Sequence, residues 1–423
     1  MSVDVVVVGG GPAGLSAAIE LRRLGVGLVL VADRETAAGG VPRHSAHTGY
    51  GLRDLRRVMS GPAYARALAG AAEAAGAQLR TRMTVTGLTP GATGSCLVEM
   101  TGPGGIETVG AAAVLLATGC RERPRAARLV PGDRPAGVMT TGELQQRVYL
   151  GGERRPGRAL VVGAEHVSFS AAVTLAHAGA EVVALVTGYE RQQSYAAFRV
   201  GAAVRWRVPV WTGSTAARVV AGQGAGRGRL AGVEVTRDGT TRFVACDTLV
   251  FTGDWIPDHE LARRAGLDID PGTRGPAVDT SLATSAPGVF AAGNLVHAAE
   301  TADIAALSGR HAARQVAAFL KGELPDGGAA VRVLVEGPLR WISPNVISSA
   351  AAPPLGRFVL RSLEFRRGVR LEVRQDGRIL ARSRPVRLIP ERPVHLAGGW
   401  VDQVDPAGGP VRVVTAADGI ARA

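Results

Sequence analysis

Apolar and polar positions along this chain fall into blocks whose period changes. Val3–Val8, interrupted only by Asp4, is a β-branched run, the pattern of a strand buried on both faces of a parallel sheet. Leu15–Leu24 then carries apolar residues at helical spacing, Gly25 stops it, and Gly27–Ala32 is a second buried run ending at Asp33. A helix follows from about Pro62 to Ala75. Short alternating segments near Gln78–Gly87, Ser95–Thr101 and Glu107–Gly110 predict a small antiparallel meander, and Ala111–Ala117 another buried strand. The cycle restarts at Arg158, with strand Ala159–Val162, turn Gly163–Ser168, helix Phe169–Ala178 and strand Glu181–Val186. Further strands are expected near Val208–Thr212, Arg229–Arg237, Thr248–Thr252 and Val289–Ala292, and a helix over Asp303–Leu320. From Val331 onward, runs such as Phe358–Leu363, Val369–Arg374 and Val411–Val414 alternate between turn residues and predict an all-β region.

The joint between the first strand and helix carries chemistry. Gly9-Gly10-Gly11-Pro12-Ala13-Gly14 reads Gly-x-Gly-x-x-Gly, and Asp33 stands 19 positions after Gly14 at the end of the next strand. Gly9 permits the tight turn, Gly11 lets a pyrophosphate approach the backbone, and Gly14 lets helix and strand pack closely. The helix N-terminus offers free N–H groups to phosphates, and Asp33 can accept hydrogen bonds from a ribose. In this strand–turn–helix–strand–acid context the motif specifies a dinucleotide site. The fold is therefore expected to be α/β: two Rossmann-like, three-layer dinucleotide-binding domains, the second inserted in the first, plus a small all-β C-terminal domain. The expected boundaries are 1–123 with 285–322, 124–284, a linker at 323–330, and 331–423.

Composition narrows the partners. The 423 residues are 46% hydrophobic and 20% charged, a globular balance. No apolar run approaches the roughly 18 residues of a membrane span, and no basic leader precedes the first strand, so a cytoplasmic protein with no membrane partner is expected. The net charge of +13 invites a nucleic-acid reading, but of 49 basic residues only Lys321 is lysine. That is a codon habit more than a patch, and no nucleic acid is expected. From Val331 to Ala423 there are 15 Arg against 8 acids, a surplus that either docks an acidic partner or solvates a sheet face. Cys96, Cys120 and Cys246 stand far apart without a Cys-x-x-Cys, which leaves this chain no iron–sulfur or zinc site of its own. Trp206, Trp211, Trp255, Trp341 and Trp400 read as core or interface, and Tyr50 as pocket lining or packing.

Two dinucleotide-type units and the segment Thr284-Ser285-Ala286-Pro287-Gly288-Val289-Phe290-Ala291-Ala292-Gly293-Asn294 resemble the two-domain flavoprotein reductases of the glutathione and thioredoxin reductase superfamily. The resemblance covers roughly residues 1–322. It implies FAD as cofactor, held by Gly9, Gly11, Pro12, Ala13, Gly14, Asp33, Arg34, Gly40, Arg43, Val85, Thr118, Gly119, Gly293, Asn294 and Thr301. It also implies that the helix starting near Asp303 points its N-terminus at the flavin. Within the superfamily, Ala117–Pro124 and Gly137–Gly142 resemble the FAD-binding α subunits of opine oxidase, hydrogen cyanide synthase and related amine or amino-acid dehydrogenases. That match implies an electron-transfer component acting with a partner flavoprotein and iron–sulfur subunits on a small-molecule substrate.

Three departures shape the expectation. The superfamily's terminal acid on the ribityl chain is here Asn294, whose amide can still hydrogen-bond a hydroxyl. The redox-active cysteine pair of the disulfide reductases is missing: Gly39-Gly40 is followed by Val41-Pro42-Arg43-His44-Ser45-Ala46-His47. His44 and His47 could relay protons or orient a substrate, or could hydrogen-bond the loop or an FAD phosphate; no metal is expected there. The second turn reads Gly163-Ala164-Glu165-His166-Val167-Ser168, with Glu165 where a glycine would admit the pyrophosphate. Weak or absent NAD(P)H use is expected, with another adenine nucleotide as the alternative ligand. A self-contained NAD(P)H-dependent flavin reductase and a non-catalytic flavin-binding scaffold remain the alternatives.

Overall fold

A computed structural model describes residues 2–92, 94–195, 208–324, 330–349 and 351–416. Trp206 and residues 325–329 of the expected linker lie outside the described residues. The chain divides into two compact units, one of 44–47 and 121–256, the other of the remaining described residues.

The first unit is built on a seven-stranded sheet. Its parallel part runs Gln78–Thr81, Val29–Asp33, Ser2–Val8, Gly105–Leu116, with Val289–Ala291 beyond. Continuous Val/Leu/Ala runs suit strands covered on both faces, and Val5, Val6, Val7, Leu115 and Ala291 are fully buried. Two expected segments differ from the pattern. Gln78–Gly87 is two strands, of which Gln78–Thr81 joins the parallel sheet. Gly105–Leu116 is one long strand whose first half closes the antiparallel meander with Cys96–Gly102 and Thr84–Pro90, and whose second half is the buried parallel strand. Alternating and continuous apolar patterns thus meet inside a single strand where its two faces change cover.

The helices Pro12–Arg23 and Ala302–Leu320 pack on this sheet. The latter buries Ala305, Ala306, Gly309, Ala312, Ala313, Val316 and Ala317, a stripe at helical spacing made almost wholly of small residues. A Cβ on Gly309 would stand 2.0 Å from the Ala13 carbonyl oxygen, so the two helices meet backbone to backbone. Residues 257–284, expected in the inserted domain, lie in the first unit: Ala262, Leu267, Val278 and Leu282 enter its core.

The C-terminal strands form two sheets around one core of their own. One sheet orders Val346–Ile347, Val331–Val335, Val411–Ala416, Arg366–Gln375 and Arg378–Arg382, with Val386–Leu388 also paired to Arg366–Gln375; the other orders Leu339–Ser343, Arg357–Ser362 and Val394–Ala397. Trp400 stacks on Phe358 in that core, with ring centroids 4.8 Å apart.

The second unit holds a five-stranded parallel sheet, ordered Val138–Thr140, Thr248–Phe251, Gly157–Val162, Ala180–Val186 and Val210–Trp211. The helix His166–Ala178 follows its central strand and ends at Gly179, whose φ of 92° is the left-handed cap that glycine supplies. A three-stranded antiparallel sheet, Ser214–Ala221, Leu230–Arg237 and Thr240–Ala245, completes it. The chain passes between the units through Cys120–Glu122 and Trp255–Pro257, which pair as neighbouring strands. Among the described residues no helix is long and apolar enough to cross a membrane.

Candidate functional site

In the first unit, parallel register brings four strand ends to one edge. Val8 is level with Ala32 and with Leu116, and Leu116 with Ala291. Gly9, Asp33, Ala117 and Ala292 therefore open onto the same edge, where ligands of open α/β sheets bind. Gly9 turns at a φ of 109° and abuts the Ala117 carbonyl, so no side chain fits there. The helix Pro12–Arg23 starts with Gly11 as its N-cap, without a side-chain cap, which leaves the first-turn N–H groups that a proline at N1 does not remove. Gly39 donates its N–H to the Gly10 carbonyl at 2.7 Å, and a Cβ on Gly40 would come within 2.9 Å of Gly11 Cα. The two glycine pairs thus form a cradle of bare backbone at a helix N-terminus, the shape and charge of a pyrophosphate site.

Asp33 is buried at 8% exposure; one carboxylate oxygen accepts the Gly10 N–H at 2.7 Å and the other the Glu35 N–H at 2.8 Å. Arg82 and Met83 donate their N–H groups to the carbonyls of Glu35 and Asp33, so the strand Thr84–Pro90, with Val85 second in it, starts close to the acid. Arg34 lies 3.8 Å from Asp258, and Arg43 3.6 Å from Glu35. Thr118 and Gly119 are tied to the same segment: Thr118 Oγ1 donates to the Asp258 carbonyl, and the Asp258 N–H to the Gly119 carbonyl.

The late strand leads into Gly293 and Asn294. A Cβ on Gly293 would meet Ala13 Cβ at 2.7 Å, so the floor here is made of alanine and glycine. Asn294 explains its own departure from an acid. Its Oδ1 accepts the Glu300 N–H at 2.8 Å while its Nδ2 donates to the Glu300 carbonyl at 3.1 Å. An aspartate could make only the first bond. Thr301 is the N-cap of Ala302–Leu320, and Asp303 in its first turn is 3% exposed and paired with Arg53 at 3.1 Å. His44 ends the short 3-10 turn Val41–His44 and is 5% exposed, whereas His47 is half-buried.

The second turn has the same plan and a different lining. Glu165 is the N-cap of the helix His166–Ala178 without capping it. Its carboxylate hydrogen-bonds Thr252 Oγ1, and Thr252 in turn meets Ser168 Oγ at 2.7 Å. The Glu165 oxygens stand 2.8 Å from a Cβ placed on Gly163 and 2.7 Å from one on Gly253, so the side chain lies across the mouth of the turn. Arg128 faces it, donating to the carbonyls of Arg123, Thr252 and Gly253, with its guanidinium 5.4 Å over the Phe251 ring.

Glu122 is a second acid here that sequence reasoning missed, because nothing local marks it as buried. One of its oxygens accepts the Gly142 N–H at 2.8 Å, and the Thr141 hydroxyl is a further hydrogen-bonding neighbour of the carboxyl. Burial, with some help from the Glu165 charge and against the Gly142 bond, pushes its carboxyl up to about 7. A raised acid favours the fold fully below about pH 4.5 and loses that contribution as pH rises through about 7. Glu122→Gln should thus stabilise the protein at pH 8 by on the order of 2–3 kcal/mol and leave it unchanged near pH 4. Equal denaturation midpoints at pH 8 would contradict this.

Residues 3–309 match the pyridine nucleotide-disulphide oxidoreductase family, and the chain belongs to it. It is an FAD-dependent oxidoreductase. It is 32% identical over 281 residues to the alpha chain of sarcosine oxidase from Corynebacterium sp. (strain P-1), a match that covers 62% of this chain and 27% of that one. It is 31% identical over 183 residues to the A component of opine oxidase from Agrobacterium tumefaciens (strain Ach5), covering 42% and 35%. It is 32% identical over 165 residues to the HcnB component of hydrogen cyanide synthase from Pseudomonas protegens, covering 38% and 34%. The matched part thus spans only about a third or less of each relative's length. Thioredoxin reductase of T. acidophilum shares the fold, with a TM-score of 0.62 at 21% identity over 75% of this chain and 98% of its own.

The residues fit the two nucleotides unequally. The first cradle fits FAD: bare backbone where phosphate must approach, a buried acid at the strand end, and an amide at the late turn. When bound, FAD supplies an acceptor and donor of electrons; the chain supplies N–H groups for its phosphates and a closed floor of small residues. The second turn does not fit a nicotinamide nucleotide, since a carboxylate lies where the phosphates would.

Proposed function

We propose that this chain is the electron-transfer flavoprotein component of a multi-subunit dehydrogenase of the amine, amino-acid or opine type, working without a redox-active disulfide. The observation that carries this reading is Glu165, folded across the second turn and held there by Thr252. A flavin whose nicotinamide site is closed must receive its electrons elsewhere. A cysteine pair does not supply them: Cys96 and Cys246 are buried, burial pushes the Cys246 thiol up to about 12, and half-buried Cys120 is in no disulfide. Three matched relatives are themselves named as subunits, which supports the reading. In it, Gly9–Gly14, Asp33, Arg34, Gly40, Arg43, Val85, Thr118, Gly119, Gly293, Asn294 and Thr301 hold FAD. His44 and His47, which follow Gly39-Gly40 in sequence where some disulfide reductases carry their cysteines, are the candidates for proton transfer.

Anaerobic titration of the FAD-loaded protein with NADH and NADPH, read by flavin absorbance, tests the reading. The expected result is no bleaching by either nucleotide and full bleaching by dithionite. Stoichiometric bleaching by a nicotinamide would overturn it in favour of a self-contained flavin reductase. A flavin that dithionite cannot reduce reversibly would favour a scaffold.

A further inference from the structure

Arg361 lies on the strand Arg357–Ser362 of the C-terminal three-stranded sheet. Phe358, Leu360 and Leu396 point from that sheet into its core, so Arg361 and its cross-strand neighbour Trp341 project from the opposite face. That face is expected to be wet, yet Arg361 is 4% exposed. Its guanidinium lies 5.2 Å over the Trp341 ring, and the far side of the cluster is His297, whose ring centroid is 5.2 Å from that of Trp341. Nη2 donates to the Ala299 carbonyl at 2.7 Å and to Glu300 Oε1 at 2.9 Å. The Glu300 side chain is itself 8% exposed. Glu300 is the residue whose backbone N–H and carbonyl are both held by the Asn294 side chain.

An unbroken line of bonds thus runs from Arg361 through the Glu300 carboxylate and backbone to Asn294. The loop 294–301 is closed at its base by Asn294 and gripped at its crest by the β region. It leads directly into Thr301 and the N-terminus of Ala302–Leu320. A buried guanidinium with a planar fork suits this task. Its Nη2 serves a carboxylate and a carbonyl at once while the guanidinium plane stacks on an indole, a face that a lysine does not have.

We propose that Arg361 is a positioning residue through which the C-terminal β region sets the loop bearing Asn294, and so sets FAD affinity and flavin potential. This rests on the reading that Asn294 and the N-terminus of Ala302–Leu320 face the flavin. On it, the β region is part of the flavin site rather than an appended module.

The β region offers its own control. Arg332 also ties it to the rest of the unit, through Asp270 at 3.0 Å, by a bond that involves neither Asn294 nor Glu300. The test titrates apoprotein with FAD by fluorescence quenching, measures the midpoint potential of the loaded protein, and records apoprotein melting for Arg361→Met, Glu300→Gln, Arg332→Met and Asn294→Ala. Arg361→Met and Glu300→Gln should each weaken FAD at least tenfold. The potential should fall, because the helix N-terminus is no longer held in place; each tenfold change in the two-electron equilibrium reads as about 29.6 mV. Arg332→Met should lower the melting temperature and keep FAD affinity within twofold. If Arg361→Met does not fold, Glu300→Gln, which retains a neutral acceptor, is read by the same criteria. Wild-type affinity and potential in the loop variants, or equal losses in Arg332→Met, would overturn the proposal while Asn294→Ala still weakens FAD. If Asn294→Ala also binds FAD normally, the reading of the site fails and the proposal with it.

Discussion

Gly14→Val should yield a protein purified without flavin and destabilised by about 3 kcal/mol. A helical glycine normally costs stability, so a larger residue would ordinarily help. Here a Cβ at position 14 would stand 1.9 Å from the Gly9 carbonyl oxygen and 3.1 Å from Val7 Cγ1. The obstacle is backbone, not the end of a flexible side chain, so the helix must move off the strand. Moving it displaces Gly9–Pro12, the segment whose bare backbone forms the cradle. Gly70 in the helix Gly61–Ala74 supplies the contrast, since a Cβ there meets nothing within 4 Å. Gly70→Ala should keep its flavin and gain roughly 0.5–1 kcal/mol. Flavin absorbance per protein and thermal melting check both. A fully loaded Gly14→Val protein that melts like the wild type would remove the structural basis for the cradle.

Glu165→Gly should make NADH a better reductant of the flavin by at least tenfold. Two unit charges of like sign about 4 Å apart repel by roughly 1–4 kcal/mol in wet to half-wet surroundings, and each 1.36 kcal/mol is about tenfold. Removing the side chain also frees the volume between Gly163 and Gly253 that it now crosses. Glu122 gives the gain a pH dependence. Its carboxyl, raised to about 7, is neutral at pH 6 and charged at pH 8, so the variant should take NADH more readily at the lower pH. Stopped-flow reduction at the two pH values reads this. An unchanged rate at both would mean that Glu165 is not the barrier.

Most of the α/β architecture is legible in the sequence because buried parallel strands announce themselves: Val3–Val8 and Ala111–Ala117 have almost no polar interruption. Boundaries fail where cover changes within an element. Gly105–Leu116 reads as two strands because its first half alternates and its second does not, although the backbone runs straight through. Residues 257–284 carry no marker of which sheet they cover. Of the site, the two glycine turns and Glu165 are visible because they depend on local backbone chemistry. Glu122, Arg128 and the Arg361–Glu300 pair are not. Each owes its role to burial by residues tens of positions away, and an arginine in a chain with 48 of them draws no attention. The Asn294 departure is legible as a difference, but its cause, the second bond to Glu300, is not.

The neighbouring strands Cys120–Glu122 and Trp255–Pro257 have an evolutionary consequence. An insert that leaves its host beside the point where it entered can be exchanged, remodelled or silenced with little disturbance to the host's own connectivity. A lineage could thus change its electron supplier by rewriting the turn at Glu165, while the flavin half inherited its cradle intact.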